Sequence, residues 1–232
     1  MSENALDAQS HIFRHDIRIP AELAILQEHV RPGMRVLDVG CAATGRSALL
    51  LKEFGCAVTS IEINPAAIQE FGATPASAGI DLVAADLAEL PFPAGSFDLV
   101  LIAFHGMDYL LDDALRCRAY QQVSRVLTPA GKLVFNGFNR LGIVLNPQVL
   151  LSPHYRRGMM RYLASGALFQ PTFVDENNLR LHQATPASII REVEGAAPFK
   201  FAYATNKSGQ TRNLLLVSLL ASAPYYVFAR AS

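Results

Sequence analysis

The 232-residue chain reads as an α/β protein built on a doubly wound, mostly parallel sheet. Apolar, strand-like runs ending in an acid recur through the first half, and segments with helical apolar spacing stand between them. Composition is the other indication. Hydrophobic residues make up 51% of the chain, enough to cover a parallel sheet on both faces.

Residues 1–33 read as an N-terminal arm, in which Pro20 opens a helix that closes at Pro32-Gly33. The first strand runs through Val36-Leu37-Asp38-Val39 and breaks into Gly40-Cys41-Ala42-Ala43-Thr44-Gly45, with a helix from Ser47 to Phe54 beyond it. Ala57 to Glu62 forms a β-branched second strand, followed by Asn64 and by Pro65 at a first helical position, where the missing N–H costs nothing. Ile80 to Leu87 is a third strand carrying Asp86 at its end, and Phe97 to Ile102 starts a fourth. Leu127-Thr128-Pro129-Ala130-Gly131 reads as a turn before a fifth strand ending at Asn136. Residues 140–183 lose the strand–helix alternation and are expected to form a helical insertion that binds an acceptor. The alternation returns with a helix from Thr185 to Glu194, a strand from Phe199 to Ala204, an apolar run from Leu214 to Ala221 read as core, and a last strand at Tyr225–Ala229.

The chemistry starts at the first loop. A strand, a glycine turn and a helix N-terminus let a nucleotide-like ligand lie against bare backbone. Gly40, Ala42 and Gly45 fit a dinucleotide fingerprint with alanine at its middle glycine. Asp38 argues the other way, because a carboxylate repels a pyrophosphate and favours a cationic ligand. Asp38 can also simply brace the loop through backbone amides. Glu62 can accept both hydroxyls of a ribose, which suits any adenosine ligand. Asp86 can accept an exocyclic adenine amine while Leu87 packs on the ring.

Four stretches in order and in register carry a resemblance: VLDVGCAATG, IEINP, AADLAELPFPAGSFDLVLIAFHGMDYL and VSRVLTPAGKLVFNGFN. The chain resembles class I S-adenosylmethionine (SAM) methyltransferases of the small-molecule group related to ubiquinone biosynthesis. The resemblance implies a Rossmann-like sheet of seven strands with an antiparallel final strand, and SAM as cofactor, released as S-adenosylhomocysteine. It departs from the family loop after Gly40: Ala42 and Thr44 stand at glycine positions, and Gly45 comes one residue late. The cofactor-binding residues it implies are Asp38, Gly40, Cys41, Ala42, Gly45, Glu62, Ile63, Asp86, Leu87 and Ala103.

Acceptor residues are expected at the ends of strands four and five. His105 is the candidate catalytic base, since an imidazole titrates near neutral pH; a structural histidine bonded to backbone is the alternative. Tyr109, Asn136, Asn139, Tyr155 and Arg156 are candidate acceptor-binding residues, with Asn136 and Asn139 equally readable as turn residues. His11, Phe13, Arg14 and His15 stand where such enzymes often fold a lid. Oxygen is the favoured methyl acceptor over nitrogen or carbon. Two other classes stay open: a catalytically silent or non-methylating SAM-fold protein, and an NAD-dependent reductase. A Tyr-x-x-x-Lys pair would support the reductase, but Tyr109 and Tyr120 are followed four residues later by Asp113 and Ser124.

Formal charge is +0 with no long basic run, which argues against nucleic acid as partner. The partner expected is a small-molecule acceptor, with no membrane contact, no metal, and a monomeric or homodimeric state. Three unpatterned cysteines (Cys41, Cys56, Cys117) suggest a reducing cytoplasm. Leu214–Ala221 is too short to span a bilayer, which takes about 20 residues.

Overall fold

The computed structural model describes residues 17–146, 150–175 and 178–231. Helix α1 (Pro20–His29) leads into β1 (Arg35–Val39), α2 (Arg46–Glu53), β2 (Ala57–Glu62), α3 (Pro65–Gly72), β3 (Asp81–Ala84) and β4 (Phe97–Ile102). Then come α4 (Asp113–Val126), β5 (Leu127–Asn136), α5 (Arg140–Leu145), α6 (Pro153–Ala164), β6 (Thr172–Val174) and β7 (Arg180–His182). The chain closes with α7 (Pro186–Ala196), β8 (Phe199–Thr205), α8 (Leu214–Leu220) and β9 (Tyr225–Arg230).

Seven strands form one sheet in the order β3-β2-β1-β4-β5-β9-β8. Strands β1 to β5 pair in parallel, whereas β9 runs antiparallel to both β5 and β8. The side-chain period of two sorts each strand between two cores. Leu37, Val100 and Leu133 enter a cluster with Tyr120 and Val123 of α4 and Ile189 of α7. Val36, Leu99, Leu101 and Val134 enter the opposite cluster, with Ile25 and Leu26 of α1 and Leu51 of α2. Helix α1 is therefore part of the body of the domain, not a detached arm; residues 1–16, with the expected lid residues, lie outside the described ones.

Several helices begin where a side chain meets an orphan N–H group. Asn64 accepts from Ala66 N at 3.0 Å, Asp112 from Leu115 N at 3.0 Å and Thr185 from Ser188 N at 3.3 Å.

Three local readings change. The expected Leu127–Gly131 turn lies inside β5 as a bulge: Leu127 pairs with Phe97 and Lys132 with Leu99, so the residues between loop out of the ladder. The insertion is not helical throughout, because β6 and β7 pair as a short antiparallel hairpin. The Leu214–Ala221 run is only partly core: Val217 is fully buried, but Leu215 is 67% exposed.

Candidate active site

The strand order reverses between β1 and β4, the switch point at which a crevice opens beyond the C-terminal strand ends. Gly40 and Ala42 after β1, Glu62 and Ile63 at the end of β2, and Asp86 and Leu87 after β3 line that crevice. Ala103, Phe104, Gly106, Tyr109 and Leu110 after β4 close its other side. The space within it, open mouth and adjoining solvent included, is about 880 Å³.

The irregular glycine loop is closed by its own backbone. Gly40 N donates to Ile61 O at 2.8 Å and Gly45 N to Cys41 O at 2.9 Å. Ala42 takes up the extra residue in a left-handed conformation (φ 48°), and its N–H donates to Glu62 Oε2 at 3.1 Å. The other oxygen of Glu62 accepts from Asn64 N at 3.1 Å, so the loop and the start of α3 together aim this carboxylate. Asp86 Oδ1 accepts from Ala88 N at 2.8 Å, which holds the third acid at the rim.

Three residues expected to touch the cofactor stand elsewhere. Asp38 is fully buried beneath the loop, where Ser60 Oγ donates to its Oδ2 at 2.9 Å. Its Oδ1 lacks a hydrogen bond, and burial pushes the carboxyl up to about 6. Cys41 is a core residue, its thiol pushed well up by burial. Gly45 faces away from the crevice: a Cβ there would lie 1.9 Å from Phe71 Cζ, and its φ is +58°. This glycine serves helix packing, not ligand approach.

On the acceptor side, Phe104 and His105 both adopt left-handed backbone (φ 48° and 64°), a strain that non-glycine residues rarely carry. The side chain of Asn136 holds the turn: its Oδ1 accepts from His105 N at 3.1 Å, which leaves Nδ2 to face His105 Nε2 at 3.2 Å. His105 Nδ1 lies 2.9 Å from Asp108 Oδ2, and the ring stacks on Phe138 at 3.8 Å. Asp108 also accepts from Phe138 N at 2.9 Å, and His182 Nδ1 stands 3.9 Å from its other oxygen. An ionised Asp108 fixes the proton on Nδ1, so Nε2 carries the lone pair and accepts from Asn136. The His105 side chain keeps 20% of its exposure.

The remaining acceptor candidates divide. Tyr109 lines the crevice. Asn136 is buried and engaged with His105. Asn139 is fully buried, caps α5 through Leu141 N and donates to the carbonyls of Ser218 and Ala221 at 2.8 and 2.9 Å; it is a structural tie, not an acceptor contact. Arg156 is exposed on α6 and lines a separate open groove, and the Tyr155 side chain lies outside the described ones. Sequence reasoning missed Phe104, Leu110, Asp108 and Phe138. Only Asp108 carried a signal, an acid three residues after a histidine. Among the described residues no cluster of potential metal ligands occurs, and no helix is long and apolar enough to cross a membrane.

Known proteins are similar to this chain in sequence and in fold. Residues 36–131 match the family model described as a methyltransferase domain. Residues 36–131 thus carry a methyltransferase domain. It is 36% identical over 110 residues to the 2-methyl-6-phytyl-1,4-hydroquinone methyltransferase of Synechocystis, covering 47% of this chain and 33% of that protein. It is 30% identical to the ubiquinone/menaquinone biosynthesis C-methyltransferase UbiE of Bordetella avium, covering 56% of this chain and 51% of that one. The chain thus spans a third to a half of the length of these relatives. In fold it is similar to the CcbJ methyltransferase of Streptomyces caelestis (TM-score 0.70, 16% identity, 98% of this chain and 96% of that one). A SAM-dependent methyltransferase of Methanosarcina mazei gives 0.66 at 20% identity, covering 89% of this chain and 97% of that one.

Proposed function

We propose that this chain moves the methyl group of SAM to a small, lipophilic quinol-type acceptor, and that His105 takes the acceptor's hydroxyl proton. The observation that carries this reading is the His105–Asp108 pair, held in a strained turn whose neighbours Phe104 and Gly106 line the crevice.

The described residues fit the cofactor. Glu62 offers two carboxylate oxygens at the place for a ribose, Asp86 an acceptor for an amine, and Leu87 an apolar face. Asp38, when ionised, adds negative charge beneath the loop, which suits a cationic ligand and not a pyrophosphate. The antiparallel β9 also departs from the all-parallel dinucleotide sheet, which weighs against the reductase. Bound SAM supplies a methyl group on a sulfonium whose departing thioether needs no proton. What remains for the protein is alignment, exclusion of water and removal of an acceptor proton.

His105 is equipped for that last task. Asp108 keeps the proton on Nδ1 and stabilises the imidazolium that forms when Nε2 takes a second. In this geometry Nε2 is engaged by the Asn136 amide, so an acceptor hydroxyl has to displace that contact first. Loss of the hydroxyl proton makes both the oxygen and the neighbouring ring carbon of a quinol nucleophilic. The base therefore serves O- or C-methylation, and the hydroquinone in the name of the Synechocystis relative makes this acceptor class the first to try.

The test incubates the full chain with methyl-labelled SAM and a prenylated hydroquinone, and locates the label by mass spectrometry of the product. Transfer to oxygen or ring carbon is expected. His105→Ala should lower kcat by about 10²–10⁴-fold with SAM affinity unchanged, and Asp108→Asn should also lower kcat. Turnover unchanged in His105→Ala would remove the base while leaving the cofactor site standing.

A further inference from the structure

Fourteen large apolar side chains stand exposed among the described residues; seven of them lie between Leu145 and Val174, and four lie on α8. Leu151 and Phe169 are each 82% exposed, Leu215 is 67% and Met160 is 60%. The first group meets the second at α5, which ends in Leu145. Asn139 ties the start of α5 to the carbonyls of α8, and α5 packs so closely that a Cβ on Gly142 would lie 2.0 Å from Ala221 O.

The charge around them has one sign. From residue 140 to 174 the sequence holds four arginines and no acid, and it holds no acid after Glu194, although the whole chain is neutral. Arg156, Arg157 and Arg161 surround Met160 on the open face of α6, where they line a groove together. A monomer rarely presents so many large exposed apolar side chains without a partner. A second copy is a poor one, since a two-fold interface would set these arginines against themselves. Apolar side chains at the level of a cationic rim suit a layer that is anionic outside and apolar beneath.

We propose that α6, α8 and the leucines from the end of α5 to the start of α6 dock the chain onto the surface of an anionic lipid bilayer, with Leu151 and Phe169 entering the headgroup layer. The docking surface reaches the acceptor side through one line of rings: Tyr162 of α6 stands 5.9 Å from Phe173, Phe173 stands 5.0 Å from Phe138, and Phe138 stacks on His105. The inference does not depend on the proposed reaction, because docking needs neither cofactor nor acceptor.

The test is co-sedimentation of the full chain with phosphatidylcholine vesicles, with and without 30% phosphatidylglycerol (about one lipid in three, a common anionic content). The chain should pellet with the anionic vesicles at low salt and be released at high salt. Replacing Arg156, Arg157 and Arg161 together by Gln should lower partitioning on the order of a hundredfold. Leu151→Ser with Phe169→Ser should lower it at least about tenfold. All five positions are exposed, and circular dichroism checks that the variants stay folded. Failure to pellet with anionic vesicles, or pelleting that neither variant alters, overturns the proposal. So does a lipid-free dimer that Leu151→Ser with Phe169→Ser dissociates, since a second copy would then own the surface.

Discussion

Asp38 shows how one buried carboxylate links stability to ligand choice. Its pKa is raised in the folded chain, from 3.8 to about 6, chiefly by burial. The sign follows directly: its contribution to stability is complete below about pH 4 and is lost as pH rises through 6. Ionising Asp38 in the folded chain thus costs about 3 kcal/mol at neutral pH. Urea denaturation of the chain without ligand at pH 5 and pH 7.5 should show roughly half of this loss, because the unfolded chain is already ionised at pH 5, and Asp38→Asn should flatten the difference between the two. SAM affinity should rise over the same interval in the native chain and stay level in the variant. An unchanged pH dependence in Asp38→Asn would show that the charge is not carried there.

Among the elements, α1 and α2 are joined by a pair that local sequence does not advertise. Arg46 at the start of α2 reaches both oxygens of Glu22 on α1 at 2.9 Å, with both side chains buried. The Tyr225 hydroxyl of β9 donates to Glu22 Oε2 at 3.1 Å, and the Arg46 guanidinium lies 4.2 Å over the Phe104 ring at the crevice. Glu22→Gln leaves Arg46 as a buried charge without its partner and should cost about 3–5 kcal/mol in chemical denaturation. A loss below 1 kcal/mol, the range of exposed pairs, would mean that water reaches Arg46 in solution. The same comparison explains which elements were readable. Strands β1, β2 and β4 each carry an apolar run ending at a polar break, so period and punctuation coincide. The β5 bulge was not readable, because Thr-Pro-Ala-Gly has the chemistry of a turn whether or not the strand continues past it. Strands β6 and β7 are three residues each, below the length at which alternation can be told from chance.

Across the whole molecule, the crevice joins three strand ends and the β4–α4 loop, so ligand binding is coupled to folding of the entire parallel half. S-adenosylhomocysteine at about 100 times its Kd should add about 2.7 kcal/mol of stability, a rise in Tm of several degrees for a domain of this size. Glu62→Ala should weaken that binding by about 1–3 kcal/mol, since it removes the hydroxyl acceptor and also frees the Ala42 and Asn64 amides. A Tm that does not move with ligand would count against the site as built here.

Local residue chemistry was enough to foretell the alternating architecture and the acids Glu62 and Asp86 at their strand ends, because each depends on neighbours within one strand–loop–helix unit. Packing across the sheet decided what Asp38, Gly45 and Asn139 do. Burial sinks the first beneath the loop, Phe71 occupies the space a Cβ on the second would need, and the carbonyls at the C-terminal end of α8 consume the amide of the third. The His105–Asp108–Asn136 arrangement belongs to the same kind. It joins a loop after β4 to the end of β5, 31 residues on, and contacts at that separation exist only once the strands are side by side.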